Sequence, residues 1–215
     1  MLDFSLVGLE PDACHTVVDV GANAGQFLFA ALGHYTAPRC LVVEMLPDLA
    51  ARLRDDPRLA DRRRFVVVQA AVGDREEERP VLRSVHSEAS SLLPLRREAA
   101  GLYGIDLEQF EAGTVQVRTL DALCAEHGFG EVDLLKIDVQ GYEEPVLRGA
   151  PLTLVRTRRL IIEVEYVPVY QGQTLVEGIR AVVEGAGFEY VCNVTEYRSR
   201  EGKLLHADAL FRRPG

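Results

Sequence analysis

Short apolar runs and amphipathic stretches alternate regularly along the first seventy residues of the chain. Three runs have the length and β-branched content of buried strands, at 16–20, 40–43 and 65–69. Two stretches between them have the spacing of helices, at 24–32 and 47–54. Strand–helix–strand units of this kind build a parallel sheet. The pattern therefore predicts an α/β fold.

The same alternation resumes in the second half of the chain. Further strands are predicted at 132–139 and 160–165, and helices at 119–127 and 143–148. Thr174 and Glu177 match a capping box, which predicts the start of another helix. The last two apolar runs, 188–194 and 207–211, flank a polar turn at Gly202 and predict an antiparallel hairpin.

Residues 74–113 interrupt this regularity. Charged and polar residues dominate the segment, and an edge strand at 80–85 is the one regular element that we expect within it. We interpret it as an irregular insertion that covers the ligand-binding end of the sheet. Because no repeat or linker marks a boundary, we expect residues 1–215 to form a single domain.

Composition restricts the classes of partner. The chain has 215 residues, 47% of them hydrophobic, and a formal net charge of −9. It can therefore bury one sizeable core, and it lacks the basic stripe expected of a nucleic-acid-binding protein. The first residues do not have the pattern of a signal peptide, and no apolar run approaches about 18 residues. The four cysteines lack paired spacing, which predicts neither a zinc site nor a redox motif. We expect a cytoplasmic protein.

The most informative segment is DVGANAG, where the first strand turns into the first helix. Gly21 and Gly25 allow a sharp turn and a close approach to a ligand. The later glycines of a dinucleotide-binding GxGxxG motif are absent, because Asn23 and Gln26 occupy those positions. Asp19 would repel a pyrophosphate but can accept a hydrogen bond from an ammonium group. The loop therefore favours an amino-acid-bearing ligand with a positive sulfonium over NAD or FAD.

Two further strand ends extend this ligand hypothesis. Glu44 lies about 20 residues after the loop, where a carboxylate can bind both hydroxyls of a ribose; a helix-entry cap is the alternative. Ala71 and Val72 follow the third strand, where their backbone groups would reach an adenine ring. Asp74 has two interpretations, as an acceptor for the adenine amine or as a turn residue.

Six segments of the chain follow one another in the order typical of one protein family. They are VVDVGANAGQF at 17–27, VEMLPD at 43–48, QAAVGD at 69–74, SSL at 90–92, VDLLKIDVQGYEEPVLRGA at 132–150 and IIEVEY at 161–166. On these segments the chain resembles the FkbM family of class I S-adenosylmethionine-dependent methyltransferases. The LLKIDVQGYE segment is the most specific, whereas the glycine loop alone would indicate only a class I methyltransferase.

The resemblance implies a Rossmann-like class I methyltransferase fold, with a seven-stranded, mostly parallel sheet, an antiparallel terminal hairpin and helices on both faces. It implies that S-adenosylmethionine is the cofactor and that a hydroxyl of a natural product or sugar is methylated on oxygen. Within the matching segments, Phe27, Met45 and Ser91 are further expected contacts of the cofactor.

Four charged residues in two otherwise apolar strands form the candidate reaction site. Lys136 and Asp138 share one face of their strand, and Glu163 and Glu165 share a face of the next. Unpaired burial of such groups is costly, so a Lys136–Glu163 ion pair that braces the sheet is one explanation. Asp138 ends its strand where cofactor and acceptor would meet, and we expect it to contact both.

An aliphatic hydroxyl must lose its proton near the transition state of methyl transfer. Asp138, Glu165 and His86 are the candidate bases, with a plain surface role as the alternative for His86. A divalent cation such as Mg²⁺, held by Asp138 and a glutamate, is another alternative, but no metal-ligating motif is present. The other four histidines, at positions 15, 34, 127 and 206, are interpreted as ordinary surface or strand-edge residues.

Three other functions compete with O-methylation of a small molecule. They are N- or C-methylation on the same scaffold, a non-catalytic S-adenosylmethionine-binding module, and a nucleotide-dependent oxidoreductase, which the missing glycines disfavour. Asp19, Glu44 and Asp138 together argue against a module that has lost its activity. The expected partner is a small-molecule acceptor, with neither nucleic acid nor membrane. The sequence leaves open whether the chain forms a homodimer.

Overall fold

A computed structural model describes residues 3–98, 101 and 108–214, and strands in this part of the chain form two sheets. The strands are β1 (Thr16–Val20), β2 (Arg39–Glu44), β3 (Phe65–Gln69), β4 (Ala71–Val72), β5 (Glu77–Ser84), β6 (Gln109–Arg118), β7 (Val132–Ile137), β8 (Thr157–Glu165), β9 (Glu189–Arg198) and β10 (Leu204–Arg212). The larger sheet has seven strands in the order β3-β2-β1-β7-β8-β10-β9. Only β10 pairs antiparallel to its neighbours, β8 and β9, so both the mostly parallel sheet and the predicted terminal hairpin are confirmed.

Helices cover both faces of this sheet. They are α1 (Gln26–His34), α2 (Pro47–Asp55), α3 (Leu120–Glu126), α4 (Glu143–Arg148), α5 (Pro151–Val155) and α6 (Val176–Gly185). Successive strand residues point to opposite faces, so Val17 and Val42 pack with α1 in one apolar core while Val18 and Leu41 pack with α3 to α6 in another. Within the described ranges, no helix is both long and apolar enough to cross a membrane.

Regular structure occupies part of the segment 74–113 that we predict to be irregular. The edge strand predicted at 80–85 is present as β5, with the bounds Glu77–Ser84. β5 pairs antiparallel with β6, and β4 joins β6 in a small second sheet. In β5 only Val81 and Ser84 are buried, and charged residues fill four of its eight positions, which weakens the period-two signal and leaves the start of the strand unpredicted. Residues 99–100 and 102–107 of the predicted insertion lie outside the described residues.

Two predicted helix starts are also corrected. α6 begins at Val176 after Leu175, without a side-chain cap, because the Thr174 hydroxyl donates to the Glu144 carboxylate instead of capping the helix. α1 begins at Gln26 and not at residue 24, because the two turn positions before it, Asn23 and Gly25, have φ angles of 48° and 86°.

Gly149, just after α4, offers a test of how tightly the helices pack on the strand ends. A Cβ at this position would lie 1.9 Å from the carbonyl oxygen of Gly73. We expect Gly149→Ala to lower the free energy of unfolding by about 1–3 kcal/mol, because one of two packed backbones must move. Urea unfolding of both proteins measures the difference.

Gly185→Ala is the matched control, because no atom lies within 4 Å of a Cβ at that position of α6. It should leave stability unchanged or raise it by up to about 1 kcal/mol, since alanine is a better helix former than glycine. Equal stabilities of the two variants would contradict the packing argument.

Candidate active site

A cavity of about 840 Å³ opens at the carboxyl ends of β1, β2, β7 and β8. Ligands of open α/β sheets bind at this edge, and the volume lies near the upper end of the usual range for small-molecule sites. Most of the residues that the sequence singles out line it: Asp19, Gly21, Asn23, Phe27, Glu44, Met45, Ala71, Val72, His86, Asp138 and Glu165.

The glycine loop reaches across to the end of β7 and joins two walls of the cavity. Gly21 has a φ of 83°, and a Cβ there would lie 1.7 Å from the carbonyl oxygen of Asp138. The amides of Gly21 and Ala22 both donate to the carbonyl of Val43 at the end of β2. Only glycine permits this conformation and this approach, so the loop holds three strand ends together.

Asp19 is a buried carboxylate on the floor of the cavity. Its Oδ2 atom has no hydrogen-bond partner within the described chain. Burial raises the pKa of Asp19 to about 7, and the nearby ammonium of Lys136 only partly opposes this effect. A cationic donor in the cavity would both pair the oxygen and favour the ionised form.

Glu44 points into the cavity with both oxygens already held by backbone amides. Its Oε2 atom accepts from the amide of Asn23 and its Oε1 atom from the amide of Leu46, each at 2.7 Å. These bonds fix the carboxylate, and each oxygen keeps a second lone pair for a ligand. The bond to Leu46 lies at the entry to α2, which begins without a side-chain cap, and the ribose role of Glu44 stays a prediction.

Three predicted site residues are not among those that line the cavity. Asp74 is exposed, which fits a turn residue. Ser91 is buried and donates through its Oγ to the carbonyl of Gln140, 2.7 Å away, so it supports the loop after β7. Gly25 allows the turn into α1, where a Cβ would lie 2.6 Å from the ring of Phe29.

A cluster of charged side chains lines the cavity beside Asp19, whose neighbour across β1 and β7 is Lys136. The Nζ atom of Lys136 lies 2.5 Å from Oδ1 of Asp208 and 3.4 Å from Oδ2 of Asp138. Burial lowers the pKa of Lys136, but the two carboxylates outweigh it, so the pKa is above its ordinary value and the ammonium stays charged. The predicted Lys136–Glu163 ion pair is therefore wrong. Lys136 pairs instead with Asp138 and with Asp208 on β10.

Gln140 connects the parts of this cluster from the loop after β7. Its backbone has a φ of 55°, and its Nε2 atom donates to Oδ1 of Asp138 at 2.8 Å and to Oε2 of Glu163 at 2.7 Å. Its Oε1 atom accepts from the hydroxyl of Tyr170. The buried Glu143 accepts from the amides of two neighbouring loop residues, so the loop has a single well-supported conformation.

Glu163, Glu165 and His206 complete the cluster along the antiparallel pair of β8 and β10. Burial, with the nearby Asp138 and Glu165 carboxylates, raises the pKa of Glu163 well above its ordinary value. His206 lies opposite Glu165 in the strand register, and its Nε2 atom is 3.9 Å from Oε1 of Glu163. Both buried glutamates and the histidine line the cavity.

His206 and Asp208 are cavity residues that the sequence interpretation missed. They occupy alternate positions of LLHADALFR, with buried Ala207 between them and buried Leu205 and Ala209 on either side. That period-two pattern would have assigned both polar side chains to one face of the strand. Which residues they contact depends on the antiparallel pairing of β10 with β8. No local sequence pattern specifies that pairing.

The described residues contain no group of three histidine, cysteine, aspartate or glutamate side chains that could hold a metal ion. The Mg²⁺ alternative therefore has no ligand set to support it in this part of the chain. Asp138 instead contacts a lysine and a glutamine, which are donors and not metal ligands of the kind that Mg²⁺ prefers.

The sequence profile described as Methyltransferase FkbM domain matches residues 19–190, most of the chain. The chain belongs to the FkbM methyltransferase family. The match includes the glycine loop, Glu44, and the strand ends that carry Asp138 and Glu163. This FkbM protein is therefore an S-adenosylmethionine-dependent methyltransferase, as the resemblance implied, and His206 and Asp208 lie beyond the matched residues.

Individual relatives agree with this assignment. The 2-O-methyltransferase NoeI of Sinorhizobium fredii is 28% identical over 194 residues, which cover 88% of this chain and 77% of that protein. The N-terminal domain of EvdMO1 with SAH bound has a TM-score of 0.52 at 10% identity, covering 98% of this chain and 78% of its own. The methyltransferase domain of bacterial CtHen1-C has a TM-score of 0.50 at 12% identity, with coverages of 94% and 91%. The two structures show the shared fold.

The buried Asp19 predicts an unusual dependence of stability on pH. Its pKa is 3.8 ordinarily and about 7 in the fold, so between these values the folded protein holds a proton that the unfolded chain has lost. Stability from this group therefore falls as pH rises from about 4 to 7. We expect ligand-free Asp19→Asn to be more stable than wild type at pH 8, by about 1 kcal/mol or more, since one pKa unit corresponds to about 1.4 kcal/mol.

Urea unfolding at pH 5 and pH 8 measures this effect, and the difference between variant and wild type should grow with pH. Asp74→Asn is the matched control, because its carboxylate is exposed, and it should track wild type at both pH values. A constant offset for Asp19→Asn would disprove the linkage.

Proposed function

We propose that this methyltransferase transfers the methyl group of S-adenosylmethionine to a hydroxyl oxygen of a small molecule, such as a natural product or a sugar. One observation carries the proposal: a single cavity has an unpartnered carboxylate oxygen on Asp19 directly beside a buried cluster of acids with a histidine. The first part, with Asp19 and Glu44, suits a cationic amino-acid ligand, and the second part, the acid cluster, suits the removal of a hydroxyl proton.

In the first part, the cavity residues match the groups of S-adenosylmethionine. Asp19 would accept from the ammonium group, and Glu44 would accept from the ribose hydroxyls. Ala71 and Val72 would border the adenine, while Phe27 and Met45 supply apolar wall. The ligand contributes an activated methyl on a positive sulfur, which is a good leaving group.

In the second part, the chain's own residues hold the acceptor and manage its proton. Much of the rate enhancement in such a transfer can come from orientation of the two reactants, and the rigid Gln140 loop supplies a fixed wall. Asp138 and Glu165 face the cavity, whereas His86 is exposed at its rim. Asp138 is held by Gln140 and Lys136, so we propose that it shapes the field around the acceptor.

We also propose that the segment before and after His86 covers the acceptor. Ser87 bonds with the side chain of Asn23, 3.2 Å away, and Ser91 bonds with the backbone of Gln140. These contacts tie the segment to both parts of the cavity, which supports the interpretation of this insertion as a cover. The name of NoeI, a 2-O-methyltransferase, supports oxygen as the acceptor atom.

The cofactor roles of Asp19 and Glu44 are tested by calorimetric titration with S-adenosylhomocysteine. We expect Asp19→Ala and Glu44→Ala each to weaken binding by about 1–3 kcal/mol, the usual cost of losing a hydrogen bond to a charged group. Asp55→Ala is the control and should bind as wild type does, because Asp55 is exposed in α2 outside the cavity. Wild-type affinity in both test variants would refute the assignment.

The acceptor is tested with methyl-labelled S-adenosylmethionine and a panel of mono- and disaccharides and hydroxylated aromatic compounds. We expect label on a hydroxyl oxygen, located by NMR of the product. Asp138→Asn should lower kcat at least tenfold while its affinity for S-adenosylhomocysteine changes much less, since it alters charge in the acid cluster.

Asp55→Asn, an exposed change in α2 outside the cavity, is the control for this assay and should keep wild-type turnover. Label on nitrogen or carbon would replace the proposal with the corresponding methylation. Binding of S-adenosylhomocysteine without transfer to any acceptor would favour a non-catalytic module. Unchanged kcat in Asp138→Asn would remove Asp138 from the reaction.

A further inference from the structure

His206 is the one histidine that the fold brings inside the acid cluster. It stands near the start of β10, opposite Glu165 on β8 and two residues from Asp208. Its side chain lines the cavity and is 26% exposed, so it is accessible to a ligand without lying on the outer surface. The position lies outside the residues matched by the family profile.

A stacking contact orients the imidazole ring of His206. The ring stacks on that of Tyr197 from β9, with centroids 5.0 Å apart and planes within 6°. Its Nε2 atom lies 3.9 Å from Oε1 of Glu163, which is too long for a direct hydrogen bond. An oxygen atom placed about 2.8 Å from each of these two atoms would be within hydrogen-bonding distance of both.

We propose that this gap binds the acceptor hydroxyl and that His206 takes its proton during methyl transfer, with Glu163 as the second contact of the hydroxyl. The assignment rests on the proposed O-methylation and names its general base. His206 replaces His86 in that role, because His86 is exposed at the cavity rim. It also replaces Asp138, whose two oxygens face Gln140 and Lys136.

The charges around His206 suit a base that works near neutral pH. The titratable groups that face it are Lys136 and Asp138 beside β7, Glu163 and Glu165 on β8, Tyr197 on β9 and Asp208 on β10. Burial lowers the pKa of His206, which leaves the imidazole neutral and able to accept a proton. Asp138 and Asp208 then stabilise the imidazolium that forms.

The step balances without any further reactant. The acceptor oxygen bonds to the methyl carbon as the carbon–sulfur bond breaks, and the electron pair of that bond goes to sulfur, which becomes a neutral thioether. The hydroxyl proton passes to His206. The imidazolium returns the proton to water when the products leave.

The test uses the full chain and the acceptor identified in the labelling assay. We expect His206→Ala and His206→Gln to lower kcat about 100-fold or more, the range for losing a general base, while the Kd for S-adenosylhomocysteine changes less than threefold. His15→Ala is the matched control, since His15 is an exposed residue outside the cavity, and it should keep wild-type kcat.

Two readouts separate a base from a structural residue. In wild type, kcat should rise with pH through an apparent pKa below the ordinary histidine value of 6.5, because only neutral His206 accepts the proton. In His206→Ala, kcat should no longer fall at low pH through this pKa, and added imidazole should restore part of its turnover. Circular dichroism and melting temperature confirm that each variant is folded.

These experiments distinguish a failure of the base assignment from a failure of the proposed function. If wild type methylates a hydroxyl and His206→Ala keeps kcat within threefold, the assignment of the base is overturned and the proposed function stands. The assignment is also overturned if kcat of the variant still falls at low pH as it does in wild type. The same holds if imidazole does not restore the turnover lost in folded His206→Ala. If wild type methylates nitrogen or carbon, or nothing at all, the proposed function falls and this inference with it.

Discussion

The approach of Gly21 to the carbonyl of Asp138 is the contact on which the site depends. A side chain at position 21 would overlap that oxygen, because its Cβ would lie only 1.7 Å away. Behind the contact, the amide of Asp138 donates to the carbonyl of Val20, which continues the pairing of β1 with β7. The turn after β1 and the turn after β7 therefore pack directly against each other.

Buried charge is the second constraint. Three charged residues lie on strands of the otherwise apolar sheet, namely Lys136, Glu163 and Asp208, and Asp138 directly follows β7. Each of the four would be costly to bury alone. Their mutual contacts reduce that cost, with Lys136 shared between two carboxylates and Gln140 bridging two acids. A fold that needed only stability would do as well with apolar residues at these positions. Their placement at the open edge of the sheet puts all four in the wall of the cavity.

The antiparallel return of β10 has a chemical consequence beyond closing the sheet. It carries Asp208 to Lys136 and His206 to Glu163, although these partners are separated by 72 and 43 residues in the chain. The charged cluster is thus built by β7, β8 and β10 together, next to the glycine loop after β1.

Local sequence patterns were enough to predict the strands of the parallel sheet, the glycine turn and the terminal hairpin. They also predicted most of the cavity residues near the glycine loop. Those features are encoded by short-range patterns: apolar runs, glycines where φ is positive, and acids at strand ends. The partner of Lys136, the role of Thr174 beside Glu144, the pairing of β5 with β6 and the placement of His206 were decided only by the assembled fold. Each depends on a contact between distant residues, and the energy of such a contact is absent from any local pattern. A residue's neighbours across a sheet are set by strand order, and strand order is a property of the whole core.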